Sequence, residues 1–250
     1  MKTFEEDHLR LEGRNAVLEA LKSDRDIDKI LIQQGNVEGS IKKIIGEAKN
    51  RGIVVQTAAK SKLDELSETK KHQGVIAFVS AHKYVEVDDI LKKAEEKGEK
   101  PFIIILDGIT DPHNLGAIIR TANISGAHGV IIPKRRSAGL SAVVAKASAG
   151  AIEYVPVAKV TNIARTIEEL KSRGIWIACA DMDGENMYQT DLKGAIALVI
   201  GNEGEGVSRI VKEKCDFIVK IPMYGQITSL NASVAAGVLM YEVVRQKYFG

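Results

Sequence analysis

Three segments of the chain gather residues whose types and spacing suit chemistry on a polar substrate. The first, LDGITDPHNLGAIIRTA over residues 106–122, runs a strand into an Asp-Gly turn and then into a helix starting at Asp111-Pro112-His113-Asn114. Asn114 and Arg120 lie under two helical turns apart. Both can face one pocket at the helix N-terminus, where free backbone N–H groups and the dipole favour an anion. As plain structure the same segment is a strand-to-helix corner with a cap. The second, ALVIGNEGEGVSR over residues 197–209, ends a strand in Gly201-Asn202-Glu203-Gly204-Glu205-Gly206. Glycines there let backbone approach a ligand closely. The third, IPMYGQITSLNASVAAGVLMYEVV over residues 221–244, ends a strand at Pro222, passes a loop with Gly225 and begins a helix at Ser229-Leu230-Asn231. Ser229 is a natural N-cap there, a role that needs no chemistry.

The glycine run is a poor dinucleotide loop. Its order is G-x-x-G-x-G rather than G-x-G-x-x-G, and no acid follows at the right distance on a next strand. Glu203 and Glu205 would repel a pyrophosphate and suit ribose hydroxyls or positive charge instead. Cys179 and Cys215 form no CxxC and have no nearby His cluster, so they read as buried, reduced core thiols. His8, His72, His82, His113 and His128 show no metal-ligand spacing, and no metal site is expected.

Around these segments the chain reads as two α/β blocks. In residues 1–80, a helix (GRNAVLEALKSD), a strand (KILIQQ), a helix (SIKKIIGEAKNRG, with Ser40 as its cap), a strand (IVVQTA), a helix (KSKLDELS) and a strand (GVIAFV) follow in turn. Residues 81–100 are polar and helical and read as a linker helix. From Pro101 to Gly250, strands and helices alternate, which implies a mostly parallel sheet with helices on both faces and ligands at the strands' carboxyl ends. With 250 residues, 45% apolar and 27% charged, the composition excludes a disordered tail, a collagen-like fibre and a coiled-coil rod. No apolar run approaches the ~18 residues of a membrane span, and the N-terminal MKTFEEDHLR lacks a secretory pattern. The expectation is a cytoplasmic protein. Lys plus Arg is 35 against 33 for Asp plus Glu, so an RNA partner would need basic residues concentrated by folding.

Taken together, the three segments resemble the motifs of the SpoU (TrmH-type) branch of the SPOUT RNA methyltransferases. GRNAVLEAL, KKHQGVIAFV, IPKRRSAGLSAVVAKASAGA and KVTNIARTIEEL extend the likeness over nearly the whole chain, toward bacterial enzymes acting on a guanosine of 23S ribosomal RNA. The resemblance implies an L30e-like RNA-binding domain over 1–80 and a SPOUT domain with a C-terminal trefoil knot over 101–250. The knot, an exception to the rule that chains are unknotted, is implied by the family alone. It implies S-adenosylmethionine as cofactor, held by Gly201, Ile221 and Leu230, and a homodimer acting on 23S RNA.

By the same resemblance the catalytic set is Asn114, Arg120, Glu203, Ser229 and Asn231. A guanidinium stays protonated in proteins, so a phosphate clamp that positions the 2′-oxygen suits Arg120 better than a general base. RNA contacts are expected from Lys134, Arg135 and Arg136, the tight basic triplet, and from Arg14, Asn15, His72 and Gln73 at turns of the first block. Competing readings are a tRNA ribose methyltransferase, a catalytically inactive RNA-binding assembly factor, and an NAD-dependent enzyme with the wrong glycine order.

Overall fold

The structure, a computed structural model, describes residues 9–23, 25–35 and 38–250. The N-terminal stretch and His8 therefore lie outside the described residues. The chain divides into two compact units. One comprises the described residues up to Lys83 with Gly139–Val143; the other comprises Tyr84–Ala138 and Val144–Gly250.

The first unit contains β1 (Leu9–Glu12), α1 (Arg14–Lys22), β2 (Ile27–Gln33), α2 (Ser40–Asn50), β3 (Val54–Ala58), α3 (Lys60–Leu66) and β4 (Val75–Val79). Their sheet has the order β1-β4-β2-β3, with only β2 and β3 parallel. Period-two alternation sends Ile30, Ile32, Val75 and Ala77 toward Val17 and Leu21 of α1 and Ile41 and Ile44 of α2. Leu31, Ile76 and Phe78 pack instead with Leu63 and Leu66 of α3. Two details depart from expectation. LRLE, too short to read from pattern, pairs antiparallel with β4. Ser40 is the first residue of α2, and its cap position is Gly39, at φ 59° and without a side-chain bond.

The loop between α3 and β4 is tied down from below. Glu12 accepts from Ser67 Oγ at 2.7 Å and from the Glu68 N–H at 2.7 Å. His72 is buried, with Nε2 2.9 Å from Asp64 Oδ1 and Nδ1 accepting the Gly74 N–H at 3.0 Å.

The second unit runs α4 (Val87–Glu96), β5 (Phe102–Asp107), α5 (Pro112–Ile124), β6 (Gly129–Pro133), the part of α6 (Ala142–Ala147) from Val144 on, β7 (Val157–Val160), α7 (Ile163–Ser172), β8 (Trp176–Asn186), β9 (Ile196–Gly201), α8 (Arg209–Lys212), β10 (Phe217–Lys220) and α9 (Ala232–Phe249). Its six strands are all parallel, in the order β10-β8-β9-β5-β6-β7. Ile103, Ile105, Ala197 and Val199 pack with Ile90 of α4, Ile163 and Ile167 of α7 and Val211 of α8. Their neighbours Ile104, Leu106, Leu198 and Ile200 are equally buried and point to the other face, where α9 packs on β9 and on α5.

The segment read as a linker contributes to this core. Ile90 and Ala94 of α4 are fully buried, and a Cβ at Gly129 would lie 2.6 Å from Ile90 Cδ1, so only glycine lets the helix sit so close to β6. Cys179 is buried but Cys215 is only half-buried; both are free thiols. The neighbouring Cys215, and then burial, push the Cys179 thiol well above its ordinary range, which makes it a poor nucleophile.

Candidate functional site

The two central strands of the parallel sheet end side by side. Asp107, last in β5, is in register with Gly201, last in β9. From β5 the chain crosses through α5 to β6 on one side, and from β9 it crosses through α8 to β10 on the other. Adjacent strands whose connections diverge leave a crevice beyond their carboxyl ends, the usual ligand position in such sheets. Two cavities open there.

One, of about 520 Å3, is lined by Gly201, Ile221 and Leu230 together with Met223, Ser229 and Asp181. The three residues expected to hold a cofactor thus share one cavity. A Cβ at Gly201 would stand 2.1 Å from the Gly206 carbonyl carbon, so the loop folds back on β9 only because this residue is glycine. Asn202 holds that loop, its Oδ1 accepting the N–H groups of Gly204 at 2.9 Å and Glu205 at 2.7 Å. Asp181 is partly buried, which opposes ionisation. The Asp183 N–H and the Lys212 ammonium, 2.9 Å away, outweigh this and hold its carboxyl below the ordinary range.

The other cavity, of about 550 Å3, is lined by Asp107, Asp111, Asn114, Arg135 and Arg136 among others. It shares the wall Asn202–Gly206 and Ala232 with the first. At this shared wall three expected catalytic side chains meet. Asn114 Nδ2 donates to Glu203 Oε1 at 3.0 Å, and Asn231 Nδ2 donates to Asn114 Oδ1 at 2.9 Å and also to Glu203 Oε1. The Ala232 N–H gives Glu203 Oε1 its third bond, at 3.3 Å. Asn114 is nearly buried, at 8% exposure. It stands in the first turn of α5, whose start follows from local chemistry. Asp111 caps the His113 N–H at 2.9 Å and Pro112 opens the helix.

Not every expected residue joins this group. Arg120 is exposed on α5, lines neither cavity and has no side-chain partner among the described residues. Ser229 lines the first cavity but caps nothing. The cap of α9 is Asn231, whose Oδ1 accepts the N–H groups of Ser233 at 3.0 Å and Val234 at 3.3 Å. Arg135 and Arg136 reach the second cavity and Lys134 does not line it. In the first unit, Arg14 Nε donates to the Gln73 carbonyl at 3.1 Å. His72, with both ring nitrogens bonded and its ring buried, shapes its loop and presents nothing to a ligand there; Lys71 and Gln73 are the exposed residues beside it. Sequence reasoning passed over Asp107, Asp181 and Asn202. Asp107 had a signal, as an acid closing the apolar run FIIIL.

Among the described residues no group of three or more His, Cys, Asp or Glu is placed to hold a metal, and no helix is long and apolar enough to cross a membrane.

A parallel sheet with paired cavities at its central switch point, in a chain with a separate small α/β unit, defines a two-part RNA-modifying enzyme once its relatives are considered. Residues 101–241 match the SpoU rRNA methylase family and residues 10–85 match the RNA 2′-O ribose methyltransferase substrate-binding family. The chain belongs to the SpoU/TrmH family of RNA methyltransferases. It is 55% identical over 236 residues to YacO of Bacillus subtilis (strain 168), named for the TrmH family of tRNA/rRNA methyltransferases, with 94% of each chain covered. A Staphylococcus aureus (strain MSSA476) protein of the same family name is 51% identical over 237 residues, covering 94% of this chain and 95% of that one. In fold it is similar to the SpoU methyltransferase AviRb of Streptomyces viridochromogenes, solved in complex with AdoMet. The TM-score is 0.61 at 24% identity, over 98% of this chain and 92% of AviRb. The TrmH/SpoU tRNA modifying enzyme of A. aeolicus is 30% identical, with a TM-score of 0.54, over 63% of this chain and 83% of that one.

Proposed function

We propose that this protein transfers the methyl group of S-adenosylmethionine to the 2′-hydroxyl of a guanosine in 23S ribosomal RNA, acting in the cytoplasm as a homodimer. The observation that carries the reading is the shared wall between the two cavities, where Asn114, Glu203 and Asn231 are bonded into one network. A donor on one side and an acceptor on the other would meet at that network.

The first cavity fits S-adenosylmethionine. Its volume lies in the range of small-molecule sites. Gly201, Ile221 and Leu230 offer backbone groups and apolar walls to an adenine, and the acidic lining suits a cationic ligand. When bound, that cofactor supplies an electrophilic methyl group. The protein's part is positioning. Holding the ribose oxygen in line can remove about 7–11 kcal/mol of barrier. Asn114 and Asn231, locked to each other and to Glu203, present a fixed polar edge to the ribose, and Ser229 stands at the rim of the donor cavity.

Arg120 fits this scheme through the dimer. On α9, Val234, Tyr241 and Tyr248 are exposed at seven-residue spacing, and Ile124 of α5 is 63% exposed, an apolar face of the kind that marks an interface. Arg120 stands one turn from Ile124, so pairing across this face would carry its guanidinium to a neighbouring subunit's site. There it would clamp a phosphate and stabilise charge on the 2′-oxygen. Arg135, Arg136 and Lys134 would hold the RNA backbone. The first unit, read as an L30e-like domain, would grip the RNA around Arg14, Asn15 and Gln73. The C-terminal knot belongs to the same reading.

A second reading has its own support. The A. aeolicus relative is a tRNA modifying enzyme, and a structure 28% identical over 59% of this chain concerns methylation of C/U34 on tRNA. Neither covers more than 63% of this chain, and the separate first unit favours the ribosomal substrate. Transfer of labelled methyl to unmodified 23S RNA and to unmodified tRNA, with digestion to nucleosides, tests both. The expected product is 2′-O-methylguanosine from 23S RNA; label in tRNA alone overturns the substrate, and no cofactor binding revives the inactive RNA-binding factor.

A further inference from the structure

The cavity that holds Arg135 and Arg136 keeps opposite charges apart. Asp107 and Asp111 line it too, yet neither arginine has an ion-pair partner among the described residues. Charges of both signs in one lining, not paired with each other, suit an occupant that accepts or is anionic on one edge and donates on another. A single anion or an apolar ligand would leave half of this lining unsatisfied.

Both walls are built to hold their shape. Asp107 closes the central strand β5, and the Ser208 N–H donates to its Oδ2 at 2.8 Å. That bond fixes the carboxylate and leaves acceptor sites for a ligand. In the same lining, Arg136 sits at φ 56°, a backbone conformation rare for residues with a side chain. Ser137 Oγ donates to the Pro133 carbonyl at 2.5 Å, and the Ala138 N–H donates to the Ile109 carbonyl at 2.8 Å. Such positions persist where the surroundings impose them and are concentrated at ligand clamps.

We propose that Asp107, in this cavity, is the residue that selects the guanine base of the target nucleotide. The proposal rests on the methyltransferase reading and goes further by naming how the base is read. A fixed carboxylate accepts two neighbouring donors. Guanine alone among the four RNA bases offers two on its Watson–Crick edge, N1–H and N2–H. Its opposite edge, O6 and N7, is the one that arginine contacts with two hydrogen bonds. Arg135 and Arg136 therefore serve the acceptor edge and the adjoining phosphate.

The test uses the purified full chain and two titrations. The first measures S-adenosylmethionine. The second compares 5′-GMP with 5′-IMP, which lacks the N2 amine, and with 5′-AMP, 5′-CMP and 5′-UMP. We expect 5′-GMP to bind about tenfold or more tightly than the others. Asp107→Asn keeps an acceptor for the Ser208 N–H and should melt as the wild type does, while erasing the preference for 5′-GMP. The double change Arg135→Ala, Arg136→Ala should weaken all five nucleotides. S-adenosylmethionine affinity should stay the same in both variants. Equal binding of the nucleotides, a preference for 5′-CMP or 5′-UMP, or a preference that survives Asp107→Asn overturns the proposal, with cofactor binding intact. Loss of S-adenosylmethionine binding in the wild type overturns the methyltransferase reading and this proposal with it.

Discussion

Asn231 Nδ2 donates to Asn114 Oδ1 at 2.9 Å across 117 positions of sequence. The bond joins the first turn of α5 to the start of α9, and it leaves Asn231 with two duties. Its Oδ1 caps α9 through the N–H groups of Ser233 and Val234, while its Nδ2 binds Asn114 and Glu203. The same side chain that starts the last helix therefore aims the polar edge of the site.

The two duties separate by substitution. Asn231→Ser retains a capping oxygen but has no amide to donate, whereas Asn231→Ala loses both functions. Both variants should transfer methyl groups about 100-fold more slowly, because small misplacements at a reacting centre have effects of that order. Only Asn231→Ala should also lose about 1 kcal/mol of stability, the usual worth of an N-cap. Urea melts beside single-turnover rates check this; equal stability loss in both variants would contradict the split.

Arg120→Ala should reduce turnover by about 100- to 1000-fold, the range for removing one donor to a developing oxyanion. Cofactor affinity should be unchanged, because Arg120 lines neither cavity. Arg120→Lys should recover little, since an ammonium cannot make the planar two-point contact. Co-expressing Arg120→Ala with Asn114→Ala subunits provides the sharper measurement. Activity returning in the mixed dimer means the arginine acts on its neighbour's site; a fully inactive mixture places it on its own.

What the sequence made readable was local. Asp111-Pro112 announces the start of α5 because cap and first-turn chemistry are set within three residues. The runs FIIILD and AIALVI announce buried parallel strands for a similar reason. The failures concern residues whose surroundings the residue types and spacing do not show. His72 looks like an exposed polar residue beside a strand until Asp64 and the Gly74 N–H enclose it. Ser229 has the chemistry of an N-cap, but Asn231 bonds both to the helix and to Asn114 and Glu203, and the helix begins two residues later. The family resemblance is what picks out Asn114, Glu203 and Asn231 as a set; the register of Asp107 opposite Gly201 brings the first two segments together, and the packing of α9 on α5 and β9 brings the third.

His128 makes stability depend on pH. It is fully buried, and its Nδ1 accepts the Phe102 N–H at 3.0 Å. Burial lowers its pKa below the ordinary value of 6.5, with only partial opposition from the Glu99 carboxylate. The unfolded chain then binds a proton that the folded chain refuses, so stability rises with pH between the folded value and 6.5. The contribution is complete above 6.5 and is lost as pH falls toward the folded value. Wild-type melting temperature should therefore drop between pH 7 and pH 5, approximately the window of histidine titration. Asn at this position can still accept the Phe102 N–H but cannot titrate. His128→Asn should flatten the slope in that window, and an unchanged slope would assign the effect elsewhere.

Gly201 and Gly225 make a matched pair for testing the cofactor cavity. A Cβ at Gly201 would lie 2.1 Å from the Gly206 carbonyl carbon and 2.2 Å from the Val207 nitrogen. Those are backbone atoms that cannot swing aside, so Gly201→Ala must push the loop off the end of β9. A Cβ at Gly225 meets nothing within 4 Å, and its φ is one that alanine adopts freely. Gly201→Ala should abolish S-adenosylmethionine binding and cost about 1–3 kcal/mol, as overpacking does. Gly225→Ala should leave binding within a few-fold of wild type and should not lower stability, since replacing an unconstrained glycine removes entropy from the unfolded chain. Calorimetric titration of both variants decides the matter. Tight binding to Gly201→Ala would mean that the cofactor does not rest on this loop, and the first cavity would lose its assignment.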